Sequence, residues 1–398
     1  MFRIGKWIAT FDFFKSVWET AMRTETIFDP KHYEQVRLPL GAAHGLPAWC
    51  YTHQEFFERE VESIFFKNWI MVGRVEDFAS AGSYQVLERF GRSIVVIKDR
   101  SNELRAFLNT CRHRGTRLLE GQGVCKAINC PYHAWAYSLS GELLAAPGME
   151  GVEGFLPREW SLLPVRLEQW GGFVFINFDQ HACSLDQQLG SIQELFAGHQ
   201  FSEMRLTRKL SYDLNCNWKI YIENAMEDYH TPTVHKRSIG LQQTKMEPVE
   251  RGEWSAIYME SPSTIAILPG EASPLPEIKS LTGKARKGSF FALINPNLFL
   301  GVTLDCMWFL EVVPLTAEKT IVNLGSCFPK STIAHPQFEK VVERYYFRWD
   351  KSIPEDNEIS VRQQAGLRTI GTHPMGRLSL HEPAVHHFAQ WILDRVLG

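Results

Sequence analysis

Hydrophobic positions along this 398-residue chain change their spacing from one region to the next. In the first forty residues, apolar side chains recur at helical spacing from Ile4 to Trp18, which predicts an amphipathic helix. Its cationic face is thin for a helix that lies on a membrane, so we expect it to pack on the rest of the chain or on a neighbouring subunit. A second periodic run predicts a helix within residues 52–69.

Short β-rich runs replace the helical pattern after Gly82. Those at 93–97, 104–108 and 171–178 predict strands of an all-β domain. The second half of the chain holds four more runs, separated by turn-forming residues, that predict an antiparallel meander: 290–294, 298–304, 307–313 and 319–327. Helical segments before and after this sheet indicate an α+β helix-grip domain with a cavity between sheet and helix.

These patterns divide the chain into three parts. We expect a helical segment over 1–40, the all-β domain over 41–180 and the helix-grip domain over 181–398, because the composition changes near residues 179–184. The balance of 44% hydrophobic and 22% charged residues is that of a globular protein. The formal net charge of -3 argues against a nucleic acid partner, since phosphate binding needs a concentrated basic face.

Cellular location is predicted from what the sequence lacks. No uninterrupted apolar run reaches the roughly 18 residues that a membrane span needs, and no signal peptide with a small-residue cleavage site is recognisable. The eight cysteines do not have the spacing of a disulfide scaffold. We therefore expect a cytoplasmic protein without a membrane span.

Two cysteines and two histidines stand in an interleaved pattern within the all-β region. The chain reads Cys111-Arg-His113 and, after sixteen residues, Cys130-Pro-Tyr-His133. A structural zinc site more often groups like ligands, with a cysteine pair followed by a histidine pair. Here each loop offers one thiolate and one imidazole. Both sulfurs can therefore bind one iron and both nitrogens the other, as in a Rieske [2Fe–2S] centre.

A second stretch with candidate metal-binding residues begins at Asn217 and contains His230 and His235. It has neither proline nor glycine before His230, which predicts a helix up to that residue, and Pro232 disfavours its continuation. Five residues on a regular helix turn about 140° beyond a full circle. We therefore expect the chain to bend after His230 and to bring both imidazoles to one point. Glu227 lies three residues before His230 on the same helical face, which gives it a role near a metal.

Both stretches resemble the α subunits of Rieske non-haem iron oxygenases, and the similarity extends from about Pro39 to the C-terminus. The matching motifs are CRHRG at 111–115, CPYHAW at 130–135, and an Asn-Trp-Lys start at 217–219 that precedes two histidines five residues apart. The resemblance implies that His230 and His235 bind a mononuclear Fe(II). It also implies that Glu227 links this iron to the Rieske histidine of a neighbouring subunit.

A carboxylate is expected as the third iron ligand, because a site of two histidines and one carboxylate leaves positions open for O₂ and substrate. The candidates are Asp350, Glu355, Asp356 and Glu358. The sequence Ser352-Ile-Pro-Glu355 has capping-box spacing with proline in the first turn, which predicts that Glu355 folds back on a helix start. Asp356 is then free, and it also stands where the resembling family has its carboxylate.

The predicted activity is reductive O₂ activation and oxygen insertion into a C–H bond or an aromatic ring of a small organic substrate. No Gly-rich dinucleotide fingerprint follows a strand, so electrons are expected from a separate NAD(P)H-dependent reductase, directly or through a ferredoxin. The resemblance implies a homotrimer in which each cluster lies close to the mononuclear iron of the next subunit.

Three functions remain possible from the sequence: monooxygenation, aromatic cis-dihydroxylation and electron transfer without catalysis. Glu227 favours monooxygenation, including oxidative demethylation, over cis-dihydroxylation, because carnitine- and choline-type monooxygenases can have Glu where many ring-dihydroxylating enzymes have Asp. A Rieske electron carrier without catalysis would not need the iron ligands.

The substrate is less certain than the reaction. Four aromatic residues either form a cage for a quaternary ammonium group or are ordinary core: Trp254, Tyr258, Phe291 and Trp308.

Overall fold

The computed structural model describes residues 27–271 and 273–398. The amphipathic helix predicted from Ile4 to Trp18 lies outside the described residues. The described part of the N-terminal segment contains a 3-10 helix at Pro30–Tyr33, whose first turn is capped by the Asp29 side chain. Tyr33 is fully buried, so the chain enters the core well before the first strand.

Two antiparallel sheets form in the first half of the chain. Strands β1–β10 are Ile70–Arg74, Ser83–Arg89, Arg92–Lys98, Leu104–Leu108, Gln122–Val124, Ile128–Asn129, Ala136–Tyr137, Leu143–Ala145, Pro164–Trp170 and Phe173–Asn177. The larger sheet has the order β1-β10-β9-β4-β3-β2-β5, and β6, β7 and β8 make a small sheet beside it. The three strands predicted in this region are confirmed. All residues of β10 are buried, as its continuous apolar run predicted.

The second large sheet contains the four predicted strands of the meander and three further strands, one on one side of them and two on the other. Strands β11–β17 are Met204–Leu214, Lys245–Met246, Trp254–Glu260, Gly288–Ile294, Leu298–Val302, Met307–Thr316 and Lys319–Pro329. Their order is β11-β17-β16-β15-β14-β13-β12. Strand β11 was not predicted, although its Leu206, Leu210 and Leu214 alternate with polar residues, which is the pattern of a half-buried strand.

Helices cover the second sheet and join it to the first. Helices α1–α10 are Trp49–Thr52, Gln54–Glu60, Leu185–Leu189, Ile192–Phe196, Trp218–Ala225, Thr231–Val234, Lys330–Ile333, Phe338–Val341, Glu343–Ile370 and Pro383–Val396. Helix α5 packs on β16 and on the two long helices α9 and α10, while α1 contacts α9 and α2 contacts α10. The α+β class is confirmed, with helices against an antiparallel sheet. Within the described ranges, no helix has both the length and the apolar character that crossing a bilayer would require.

The start of α5 is fixed by buried polar contacts. The Asn217 side chain accepts a hydrogen bond from the Lys219 N–H at 2.9 Å and so caps the helix. Lys219 Nζ lies 2.6 Å from Glu60 Oε1 with both side chains fully buried, and the Trp218 indole donates to the same carboxylate at 3.0 Å. Removing one partner of such a buried pair costs about 3–5 kcal/mol. This anchoring holds the chain segment that leads to His230.

Candidate functional site

The two Cys/His loops have the same backbone turn. The Cys111 carbonyl accepts a hydrogen bond from the Gly115 N–H at 2.9 Å, and the Cys130 carbonyl accepts one from the Ala134 N–H at 3.1 Å. Gly115 and Ala134 occupy equivalent positions and have positive φ angles of 75° and 57°. A positive φ is uncommon for a residue with a side chain, so the surrounding structure must hold the second loop in this turn.

The structure brings Cys111, His113, Cys130 and His133 together at the tips of these loops. Both thiols are buried, and the two imidazole rings lie at the rim with their centroids 4.8 Å apart. His133 Nδ1 is buried and has no hydrogen-bond partner among the described residues. Burial raises the pKa of Cys130, but backbone N–H groups of Tyr132 and His133 outweigh it, and the pKa falls below its ordinary value. Two inner thiols and two outer imidazoles are the donors that a Rieske cluster requires.

Aromatic side chains complete the surroundings of these loops. Trp135 stacks on the His113 ring at 4.9 Å with an interplanar angle of 7°. The Tyr137 hydroxyl lies 3.3 Å from Cys111 Sγ and accepts a hydrogen bond from the Arg112 N–H at 3.1 Å. Because the Tyr137 oxygen accepts this bond, the Tyr137 hydroxyl proton can be donated to the Cys111 sulfur. Tyr137 was not predicted as a site residue, although it follows Trp135 by two residues and the alternation of side chains along an extended chain puts both on one face.

The second candidate site joins His230, His235 and Asp356, which are far apart in the chain. The imidazoles flank the short helix α6, and Asp356 comes from α9. The Nε2 atoms of His230 and His235 lie 3.5 Å and 3.0 Å from Asp356 Oδ1, and one ligand atom from each residue falls within 4.8 Å of the others. Asp356 Oδ1 is buried and makes no contact with hydrogen-bond geometry in the described part of the chain. Two imidazole nitrogens and one carboxylate oxygen therefore point into the same space, and the buried carboxylate oxygen makes no hydrogen bond there. This arrangement fits an iron site in which three protein ligands occupy one face of the metal.

Two further carboxylates orient the imidazoles. Glu227 Oε1 contacts His230 Nδ1, and Glu355 Oε2 lies 2.8 Å from His235 Nδ1. Glu355 also accepts a hydrogen bond from the Ser238 hydroxyl at 2.5 Å. With each Nδ1–H donated to a carboxylate, each Nε2 carries the lone pair that a metal needs.

The local structure corrects the predicted bend. Helix α5 ends at Ala225, ahead of Glu227, and the chain does not continue as a helix to His230. Pro232 lies in the first turn of α6, where its missing N–H leaves no hydrogen bond unmade. The break is therefore earlier than predicted, and Pro232 begins a new helical turn after His230. Glu227 contacts His230 through a turn and not along a helical face.

The prediction for Glu355 was wrong. Residues 352–355 lie inside the 28-residue helix α9, which begins at Glu343, so no capping box forms there. Glu355 instead faces His235. The other two candidates lie elsewhere, since Asp350 pairs with Arg208 and Glu358 is an exposed residue near Arg362.

A cavity between α9 and the second sheet opens onto the three converging donors. Phe291 and Trp308 line it, as does Ile257 of β13. Trp254 and Tyr258 face the opposite side of the sheet, where Trp254 joins a separate apolar core. Of the four aromatic residues that the sequence left as either a cage or ordinary core, Phe291 and Trp308 border the cavity and the other two do not, because neighbours along a strand point to opposite faces.

Comparison with known proteins gives two matching family models. Residues 68–156 match the Rieske [2Fe-2S] domain, and residues 201–398 match the ring hydroxylating alpha subunit (catalytic domain). The carnitine monooxygenase oxygenase subunit of Acinetobacter baumannii is 37% identical over 345 residues, covering 84% of this chain and 88% of the relative. This chain belongs to the Rieske non-haem iron oxygenase α subunits. The corresponding subunit of Escherichia coli K12 is 32% identical over 363 residues, covering 87% of this chain and 92% of the relative.

Solved structures agree with this assignment. The apo form of a quaternary ammonium Rieske monooxygenase, CntA, superposes with a TM-score of 0.72 at 26% identity, covering 89% of this chain and 95% of that one. Naphthalene 1,2-dioxygenase with bound indole has a TM-score of 0.74 at 18% identity, covering 92% and 95%, which shows a shared fold.

Membership of the family settles the general activity. The chain is the terminal oxygenase of a Rieske system, an oxidoreductase that carries a Rieske [2Fe–2S] cluster and a mononuclear iron. It uses O₂, a small-molecule substrate and electrons from a reductase. The alternative of a Rieske electron carrier without catalysis is set aside, because the ring-hydroxylating catalytic domain is present.

Proposed function

We propose that this enzyme oxidises a small quaternary ammonium compound by hydroxylation or oxidative demethylation near the nitrogen. The observation that carries the proposal is the cavity between α9 and the second sheet, whose lining includes the three converging donors. Four aromatic side chains contribute to its wall: Tyr221, Phe291, Phe299 and Trp308. Aromatic faces attract a poorly hydrated cation. The names of the carnitine monooxygenase relatives and of CntA support the same choice.

The proposal assigns a role to each site residue. Cys111, His113, Cys130 and His133 hold the cluster, and His230, His235 and Asp356 hold the iron. When bound, the iron activates O₂ with electrons delivered singly by the cluster. Glu227 and Glu355 keep the Nδ1 protons of the two imidazoles in place, so that both rings present Nε2 to the metal.

Glu227 has a second role in this proposal, as the link between subunits. Its side chain is 11% exposed, and the neighbouring Tyr229 is an exposed aromatic residue. Exposed apolar side chains also occur close to the cluster loops, at Tyr132 and Leu144. We propose a homotrimer in which the cluster loops of one copy cover the Glu227 surface of the next, since a head-to-tail contact that closes forms a ring. The mass of the holoenzyme in solution tests the trimer.

The division of the chain and the electron supply complete the proposal. An N-terminal segment of residues 1–40 would precede a Rieske domain of 41–180 and a catalytic domain of 181–398. The first sheet ends at Asn177 and the next helix begins at Leu185, which supports the second boundary. Electrons would come from the reductase directly or through a ferredoxin. A cytoplasmic location stays a prediction.

Substrate oxidation can be tested with a surrogate reductase. O₂ consumption and products are measured for trimethylammonium alcohols and carboxylates, aromatic acids and aryl ethers, with His235→Ala as the inactive control. We expect product formation coupled to O₂ uptake only with the quaternary ammonium compounds. Coupled formation of cis-diols from aromatic compounds would replace the proposal by aromatic cis-dihydroxylation, which the aromatic cavity wall also accommodates.

A further inference from the structure

A line of aromatic side chains leads from the substrate cavity into the interior of the protein. Trp308 of β16 lines the cavity, and its ring centroid lies 5.7 Å from that of Trp349 on α9. The Trp349 ring lies 6.3 Å from that of Tyr345, which is one turn earlier on the same helix. All three side chains are buried. Tryptophan and tyrosine are the aromatic side chains that lose one electron most readily, so this line offers a path for electrons.

The line ends at a tyrosine that is hydrogen-bonded to a buried carboxylate. The Tyr345 hydroxyl donates to Asp305 Oδ2 at 2.5 Å, and the Thr264 hydroxyl donates to Asp305 Oδ1 at 2.6 Å. Two donors on separate oxygens fit the ionised carboxylate, which only accepts hydrogen bonds. Burial raises the pKa of Asp305 above its ordinary value, although the hydrogen bonds oppose this effect. Asp305 is therefore a stronger base than an exposed carboxylate and lies within reach of the phenol proton.

The surroundings of the three rings favour electron movement from Tyr345 towards the cavity. The Arg348 guanidinium lies over the Trp308 ring at 4.9 Å, and its positive charge disfavours the cation that Trp308 becomes when it loses an electron. Trp349 Nε1 is buried and has no hydrogen-bond partner among the described residues, so an oxidised Trp349 has no neighbouring group that takes its indole proton. Tyr345 differs from both, because its proton has an acceptor in Asp305.

We infer that Trp308, Trp349 and Tyr345 carry one electron to the iron site when the O₂-derived oxidant forms there without an oxidisable substrate. The O–H bond of Tyr345 breaks, its proton passes to Asp305 Oδ2, the oxidant gains the electron and Tyr345 becomes a neutral tyrosyl radical. Tyr345 and Asp356 are eleven residues apart on α9, which places the radical roughly 16 Å from this iron ligand along the helix axis. The path therefore protects the imidazole ligands and the cavity wall from oxidation. It depends on the oxygenase chemistry and not on the identity of the substrate.

The radical can be generated and identified directly. Holoenzyme with its mononuclear iron as Fe(II) is mixed with hydrogen peroxide without substrate, frozen rapidly and measured by electron paramagnetic resonance. Hydrogen peroxide replaces O₂ and the reductase as the source of the oxidant. We expect a tyrosyl radical, whose hyperfine splitting narrows in protein that contains ring-deuterated tyrosine. The absence of a tyrosyl radical in the wild type would overturn the inference.

Two neighbouring tyrosines provide a matched pair of variants. Tyr345→Phe should lose the tyrosyl signal. Tyr346→Phe is the control, because the Tyr346 ring also lies 6.2 Å from that of Trp349 but its hydroxyl donates to no carboxylate in the described part of the chain. Its signal should equal that of the wild type. A signal that survives in Tyr345→Phe, or one that is lost in Tyr346→Phe, would contradict the assignment.

The role of Asp305 as proton acceptor has its own readout. Asp305→Asn keeps the size of the side chain but is a far weaker base, so the tyrosyl signal should be lost. In the wild type, the radical should form more slowly in D₂O, because a proton moves with the electron. A wild-type rate that is equal in H₂O and D₂O would reject this proton transfer, whether or not Asp305→Asn folds.

The protective role is tested by interrupting the line. Trp349→Phe removes an indole whose N–H has no partner, so no hydrogen bond is lost. After repeated additions of peroxide, mass spectrometry should find more oxidation of cavity-lining peptides in Trp349→Phe and in Tyr345→Phe than in the wild type. The unfolding temperature and the reduced cluster spectrum check the fold of each variant, and Tyr345→Phe carries the test if Trp349→Phe does not fold. Cavity oxidation that is unchanged in the folded variants would overturn the protective role.

Discussion

Replacing Tyr137 by phenylalanine should lower the reduction potential of the cluster. The variant keeps the buried ring and removes only the hydroxyl that lies 3.3 Å from Cys111 Sγ. Reduction adds negative charge to the cluster, so a hydrogen bond to a ligand sulfur is stronger in the reduced state. Without that bond, the reduced state loses more stabilisation than the oxidised state.

The size of the shift follows from the strength of one hydrogen bond. A net difference of about 0.5–1.5 kcal/mol between the two redox states is a reasonable range for one such bond. For a one-electron couple, a tenfold change in equilibrium corresponds to about 59 mV and to about 1.4 kcal/mol. The expected decrease is therefore roughly 20–65 mV. The Arg112 N–H loses its acceptor at the same time, which should destabilise the fold by about 1 kcal/mol.

An anaerobic redox titration followed by circular dichroism of the cluster measures the potential. Tyr132→Phe is the matched control, because Tyr132 is exposed and its ring, which stacks on His133 with centroids 3.8 Å apart, is retained. Its potential should not change. A Tyr137→Phe potential equal to or above that of the wild type, or an equal decrease in both variants, would refute the hydrogen bond to Cys111.

The remaining predictions concern the mononuclear iron. Asp356→Ala should lose this iron while the cluster spectrum stays unchanged, whereas Glu227→Gln should retain most of the iron and lose about 10–100-fold in single-turnover product. Full iron occupancy in Asp356→Ala would contradict its role as a ligand. In the iron-free protein, burial lowers the pKa of His230, but the Asp356 and Glu227 carboxylates outweigh burial and raise the pKa to about 9. Because a metal binds the neutral imidazole, Co(II) affinity should increase about tenfold per pH unit up to about pH 9, and a pH-independent affinity would contradict this protonation.

The cluster loops could be predicted because their chemistry is local. Cys111, His113, Cys130 and His133 lie within 23 residues, and their interleaved order already separates two sulfurs from two nitrogens. The strands of the meander were predictable for the same reason, since a short apolar run between turn-forming residues is a local pattern that predicts a strand.

The iron site depended on information that no short stretch contains. Residues 352–355 have the sequence of a helix start, yet α9 begins at Glu343. Burial of Tyr345 and Trp349 in the core stabilises the helix over the residues that precede this local start sequence. The residue spacing does not show that Glu355 faces His235, since they are 120 positions apart and meet only through packing.

The sequence by itself determined which chemical groups this protein has and, through its motifs, the class of reaction. Tertiary structure alone decided which of those groups meet. Alternation shows that Trp254 and Tyr258 share a face of β13, but the helix that packs on one side of the sheet decides which face borders the cavity. Likewise, Arg348 is one of many basic residues in the sequence. Only the fold shows that this residue is buried against Trp308 and Ser352, where burial removes the water that would otherwise compensate its charge.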